Sequence, residues 1–244
     1  MFLMDFGSRA ARVEKATRIL KQEQIKRVIL HYTHKDTDHF NSKGAMMLAE
    51  SCAANKTELY LLRTNHHDHD TDILKGFATF TQTPKRKIAT ITARETATLM
   101  KLKRIEFEEI SHNRIPNKNT CLAVNMVNHD GGKTIFGTDH CDMEFVNRVL
   151  SDPYLEDFYT DTTDIPANLS TSHFSFEELC DAVPTAKRDS VTVMHTPVGV
   201  PKMAYEKGFN TAVPLLILNE EKYRNTVFPH GAQQISCDAF LETT

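Results

Sequence analysis

Apolar positions along this chain change period repeatedly, and each change predicts a new element. Ala10, Val13, Ala16, Leu20 and Gln24 fall about one turn apart, which predicts a helix over 10–24 with one buried face. Val28, Ile29 and Leu30 then form a continuous apolar run that stops at His31, the pattern of a strand covered on both faces. After a polar stretch, Ser42 offers an N-cap to a helix whose Ala45, Leu48, Ala49 and Cys52 share one side. Strands are expected over 59–62 and 87–93, with a helix over 95–103. Ile105, Phe107 and Glu109 alternate with Glu106 and Glu108, a strand period. Two further strands, 121–127 and 133–137, flank Asn128-His129-Asp130-Gly131-Gly132, a strong hairpin signal. A helix near 144–150, a strand near 157–161, a helix over 175–183 and strands over 190–195 and 213–218 complete the pattern. Such alternation predicts a layered α/β architecture. No Pro/Gly/Ser-rich linker, low-complexity tract or internal repeat interrupts it, so one domain over 1–244 is expected.

Composition narrows the class. The 244 residues are 40% hydrophobic and 25% charged, enough to bury a core, which excludes a disordered tail, a collagen-like fibre and a small disulfide scaffold. No apolar run approaches the ~18 residues that cross a bilayer. The first residues lack the basic and apolar regions of a secretory signal, so a cytoplasmic location is expected. The five cysteines are odd in number and form no CxxC pair, which predicts reduced thiols. What changes the picture is histidine: there are 12, with no tryptophan. Histidine is the commonest metal ligand, so their placement matters.

Four potential ligands, His34, Asp36, Asp38 and His39, crowd the segment 33–39 just after a predicted strand. A bound cation offsets both the repulsion of the carboxylates and the desolvation of the rings. A hydrated polar loop of the same composition is the alternative, and these residues alone leave both open.

Thr33-His34-Lys35-Asp36-Thr37-Asp38-His39 resembles the THxHxDH signature of the metallo-β-lactamase fold family. Downstream residues are similar to the family's remaining motifs, in order: His112 at a strand end before the hairpin, Asp139 in Ile135-Phe136-Gly137-Thr138-Asp139 after it, and His195 ending a late strand. The opening Phe2-Leu3-Met4-Asp5-Phe6-Gly7 resembles the strand before the family's first helix. The resemblance implies a four-layer αββα sandwich with a dinuclear site. His34, Asp36 and His112 would hold one metal, Asp38, His39 and His195 the other, and Asp139 would bridge them. Asp38 would also orient or deprotonate the attacking water. The chain departs from the family twice. Asp36 stands where most members have histidine, and a carboxylate hardens the site, so a shift from zinc toward manganese or iron, or weaker occupancy of that position, is expected. The β-hairpin that usually precedes the family's first strand has no counterpart before Phe2; either the start is late, or the first sheet is shorter, with an open edge that would favour a homodimer.

His173, in Ser172-His173-Phe174-Ser175, resembles a histidine of the tRNase Z-like branch that assists phosphate binding and leaving-group protonation; Asp161 resembles its acidic partner. A merely structural place beside a helix N-cap at Ser175 is the alternative for this residue. This branch favours phosphodiester hydrolysis over lactone or thioester opening. The interval from His112 to Asp139 is too short for a tRNA-gripping arm, and a net charge of −3 gives no general pull on a polyanion. A small or cyclic nucleotide-like phosphodiester is therefore the expected substrate, with a nuclease, an acyl hydrolase and a non-catalytic binding protein as alternatives. The basic cluster Lys85-Arg86-Lys87 with Lys101, Lys103 and Arg104 keeps nucleic acid open, although such clusters are usually solvated faces. Asn65-His66-His67-Asp68-His69-Asp70 is expected to be a loop near the site's mouth rather than a third metal site, and His129 and His140 receive no role.

Overall fold

The apolar run at 28–30 becomes the centre of a parallel sheet. A computed structural model describes residues 1–5, 10–34, 40, 42–78, 89–112, 120–163, 173–194 and 200–211. Two compact units divide the chain, one of residues 1–107 and one from residue 108 onward.

In the first unit, β1 (Phe2–Met4), β2 (Arg27–His31), β3 (Glu58–Leu62) and β4 (Ala89–Ile91) pair in that order, all parallel. The connections are α1 (Ala10–Gln22), α2 (Ser42–Ala54) and α3 (His67–Ala78), with α4 (Ala93–Met100) following β4. Alternate residues of a strand face opposite sides, and β2 is buried on both. Val28 and Leu30 pack with Val13, Ala16 and Leu20 of α1 and with Ala45, Leu48 and Cys52 of α2. Ile29 joins Leu62 and Ile91 in a second cluster. Each buried Val, Leu or Ile among them contributes roughly 1.5–3 kcal/mol by leaving water. Because the strands are parallel, their C-terminal ends lie on one edge, and Met4 is in register with His31.

In the second unit the sheet order is β10-β9-β8-β7-β6-β5. Its strands are β5 (Arg104–Ser111, which contains the boundary), β6 (Thr120–Val127), β7 (Lys133–Gly137), β8 (Leu155–Asp161), β9 (Val191–Met194) and β10 (Asn210–Thr211). β6 and β7 pair antiparallel, and β7 through β10 run parallel. The turn between β6 and β7 places Gly131 at φ 100, which a residue without a Cβ adopts freely. Helices α5 (Met143–Ser151), α6 (Phe176–Ala182) and α7 (Val200–Glu206) accompany the sheet. Phe145, Phe158, Phe174, Phe176, Val191, Val193, Ala204 and Phe209 are among its core residues. Gly137 pairs with Thr160 and Thr160 with Val193, so β7, β8 and β9 end together.

Several expected boundaries move. Residues 67–70, expected in a loop, form the first turn of α3, where Asp68 and Asp70 suit the positive end of the helix. The helix expected over 95–103 runs from Ala93 to Met100. Thr92 and Glu95 make a capping box at its start, and Lys101 at φ 58 closes it by donating its N–H to the carbonyls of Ala97 and Thr98. The helix expected over 10–24 stops at Gln22, and Gln24 at φ 48 turns the chain toward β2. The strand expected over 213–218 lies outside the described residues, as does Lys85-Arg86-Lys87. Among the described residues, no helix is long and apolar enough to cross a membrane.

Candidate functional site

Parallel strand ends gather the candidate residues in each unit. At the edge of the first sheet, Asp5 follows β1, and Thr33 and His34 follow β2. Asp5 Oδ1 accepts the Thr33 N–H at 2.8 Å, and Asp5 Oδ2 accepts the Thr33 hydroxyl at 2.8 Å. With its hydrogen committed, Thr33 Oγ1 accepts from His34 Nδ1 at 3.0 Å. His34 therefore carries its hydrogen on Nδ1, and Nε2 keeps a lone pair suited to a metal. Asp36, Asp38 and His39 lie outside the described residues.

In the second unit, His112 follows β5, Asp139 lies two residues beyond β7, and Asp161 ends β8. His112 Nδ1 donates to the Asp139 carbonyl at 2.6 Å, which again leaves Nε2 as the acceptor nitrogen. Asp139 adopts φ 58, a left-handed conformation that aspartate tolerates better than most residues. Both backbone polar groups of Asp139 are anchored, because its N–H donates to Asp161 Oδ1 at 2.6 Å. The other oxygen of Asp161 accepts a short hydrogen bond from His173 Nδ1, and Asp139 Oδ1 lies 3.1 Å from the same nitrogen. Asp139, Asp161 and His173 each offer a ligand atom within 4.8 Å of one another. Asp161 is fully buried and Asp139 nearly so. Two adjacent buried carboxylates need a proton or a cation to offset their repulsion and desolvation, so this donor set fits a bound metal or an imidazolium. His195 follows Met194, which pairs with Asp161, and is itself outside the described residues.

Some of the polar framework carries no motif. The Asp5–Thr33 pair sits in segments singled out for a strand and a ligand loop, and the carboxylate at the end of β1 was the available signal. His140 is fully buried, and its desolvation lowers its pKa, so the ring is neutral. Asp142 caps α5 by accepting from the Phe145 N–H at 2.9 Å and also receives the Ser111 N–H at 3.4 Å. In the first unit, His69 Nε2 donates to the Tyr32 carbonyl at 2.6 Å, so His69 braces from α3 the chain just after β2.

No protein-family model and no curated protein matches the sequence. Among solved structures, the chain is similar to a long form RNase Z from yeast at 12% identity and a TM-score of 0.49, covering 75% of this chain and 30% of that one. It spans less than a third of the length of that RNase Z. It is also similar to the isothiocyanate hydrolase from Delia radicum gut bacteria at 13% identity and a TM-score of 0.52, covering 87% of this chain and 88% of that one. The chain has a mixed α/β fold, two sheets accompanied by helices, of the metallo-β-lactamase type.

Proposed function

We propose that the protein is a metal-dependent hydrolase, and specifically a phosphodiesterase acting on a small or cyclic nucleotide-like phosphodiester. The observation that carries the finer reading is the imidazole of His173, held through Nδ1 by the buried carboxylate of Asp161. The fold shared with an isothiocyanate hydrolase fits the coarser one. His34, Asp36 and His112 would hold one divalent ion and Asp38, His39 and His195 the other, with Asp139 between them. Such ions, when bound, lower the pKa of water and polarise the oxygen under attack.

The chain's own residues divide the proton work. Asp38 takes a proton from the attacking water as the new P–O bond forms. His173, its Nδ1 hydrogen held by Asp161, gives a proton from Nε2 to the departing alkoxide as the old P–O bond breaks. The products are a phosphomonoester and an alcohol. Both oxygens of Asp161 already accept hydrogen bonds, so it positions Asp139 and His173 rather than touching substrate.

The test is a screen of the purified protein, with manganese or zinc added, on bis-p-nitrophenyl phosphate, 2′,3′- and 3′,5′-cyclic nucleotides, oligonucleotides, lactones and thioesters. Turnover of the cyclic or diaryl phosphodiesters, lost in Asp38→Ala and in His173→Ala, is expected. Preference for oligonucleotides would move the reading to a nuclease. Acyl-ester turnover indifferent to His173→Ala would overturn it, and metal uptake without any turnover would make the chain a binding protein.

A further inference from the structure

We infer that His140 is a positioning residue that locks Asp139, Asp161 and His173 into one arrangement; this rests on the site reading above. Two of its contacts, Thr160 and Phe174, each lie one residue from a member of that trio, and a third is Asp142, the N-cap of α5. His140 itself follows Asp139. Thr160, which precedes Asp161, lies with Oγ1 3.3 Å from His140 Nε2. Phe174, which follows His173, meets the ring edge to face, with centroids 5.2 Å apart at 87°. Phe145 makes the same contact from α5, at 5.2 Å and 88°.

The tautomer follows from geometry. The Asp142 backbone N–H can only donate, and it points at His140 Nδ1 at 3.2 Å. Nδ1 is therefore the acceptor and Nε2 carries the hydrogen, which it donates to Thr160 Oγ1. The Thr160 hydroxyl hydrogen is then directed at the Asp161 carbonyl, 3.5 Å away. A continuous chain of donors thus runs from the cap of α5 through the imidazole to the end of β8. A neutral imidazole offers an acceptor on one edge and a donor on the other within one rigid ring, which neither an amide nor a plain aromatic of that size supplies here. The fit is tight. A Cβ added at Gly137 would lie 3.3 Å from His140 Nε2 and 2.6 Å from Phe145 Cε1.

Three variants test the inference: His140→Phe, which keeps an aromatic ring and removes both hydrogen bonds; Thr160→Val, which keeps shape and removes the hydroxyl; and their combination. Two readouts report on the site in addition to the fold, which circular dichroism follows. One is the imidazole ¹⁵N–¹H correlation spectrum of His173 in metal-free protein, and the other is calorimetric titration with manganese and with zinc alone. In folded His140→Phe we expect the His173 resonances to move and metal affinity to fall by about 10–100-fold, as for other outer partners of ligands. The double variant should be no worse than His140→Phe, since both changes cut one chain. His173 resonances and metal affinity equal to wild type in a folded variant would overturn the inference and leave His140 as core filling. If His140→Phe does not fold, Thr160→Val decides by the same two readouts. Wild-type protein that takes up neither metal would refute the site reading instead, and the His173 spectrum then decides the inference by itself.

Discussion

Acid should destabilise the protein through one identifiable side chain, His31. This residue ends β2 with no exposed surface, and among the described residues neither ring nitrogen has a hydrogen-bond partner. Its neighbours are aromatic: the ring lies 5.2 Å from Phe107, 6.4 Å from Phe2 and 6.1 Å from His69. Burial pushes its pKa down to about 3, with Asp5 and Asp70 opposing and His69 adding to the fall. The folded value is depressed, so the unfolded chain binds one more proton than the folded one between about pH 6.5 and the folded pKa. Stability is then complete above the unfolded pKa and is lost as pH falls, at about 1.4 kcal/mol per pH unit. Going from about pH 7.5 to about pH 5 should remove roughly 2 kcal/mol on this account. His31→Phe removes the titrating group and the unpaired ring nitrogens, whose burial costs about 1–3 kcal/mol, so the variant should be at least as stable at neutral pH. Urea unfolding of both proteins at a series of pH values, with chelator present throughout, measures the difference. The other histidines, His34, His69, His112 and His140 among them, are common to both proteins and cancel. Parallel stability curves for wild type and His31→Phe, or for His31→Leu should the larger ring not fit, would refute the reasoning.

Four other outcomes are expected. Gly137→Ala should cost about 1–3 kcal/mol, because its Cβ meets the buried Phe145 ring at 2.6 Å, whereas Gly132→Ala meets only the movable end of Glu156 and should cost well under half of that in the same thermal melts. Asp161→Asn keeps an acceptor for the Asp139 N–H but cannot accept from His173 Nδ1, so phosphodiester turnover should drop by about 10²-fold or more while circular dichroism stays unchanged. Arg188 donates to the carbonyls of Cys180, Val183 and Lys207 and lies 5.1 Å over the Phe209 ring, so Arg188→Met should lower stability by about 2–4 kcal/mol in urea unfolding, with the loss concentrated in the second unit by hydrogen exchange. On the proposed assignment Asp36 would harden the ligand set, so metal analysis of protein purified without chelator should find manganese or iron, and two tightly held zinc ions with no gain from manganese would count against that assignment.

How much of this was legible in the sequence depends on how local the cause was. The run Val28-Ile29-Leu30 announced a strand covered on both faces because both neighbouring clusters draw on it, Val28 and Leu30 on one side and Ile29 on the other. The mixed α/β class followed from such runs and stands. Helix ends were harder, since they are set by side-chain caps that periodicity ignores. Thr92 and Glu95 start α4 before its apolar face becomes visible, and the left-handed Lys101 stops it while the charge pattern continues. The segment 67–70 looked like a loop because it is almost wholly polar. Acidic residues, however, are favoured in a first helical turn, and His69 and Asp70 are held there by the Tyr32 carbonyl and by Thr64, neither of which is a helix signal. Asp161 and His173 were paired on resemblance alone; what no pattern could show is that the second oxygen of Asp161 holds the backbone of Asp139.

Histidine shows why residue type and spacing run out at the site. What an imidazole does depends on which nitrogen carries the hydrogen, and a group distant in sequence decides that. The Asp5–Thr33 pair sets it for His34, the Asp139 carbonyl for His112 and the Asp161 carboxylate for His173; all three donate through Nδ1 and keep Nε2 for a ligand or a proton. His69 and His140 are set the other way, donating through Nε2 to the Tyr32 carbonyl and to the Thr160 hydroxyl. The two groups are indistinguishable as letters in the sequence, yet one leaves Nε2 open for a ligand or a proton and the other spends the Nε2 hydrogen on the framework. His31 belongs to neither: it is an uncommitted imidazole between aromatic rings, and the fold should resist its protonation.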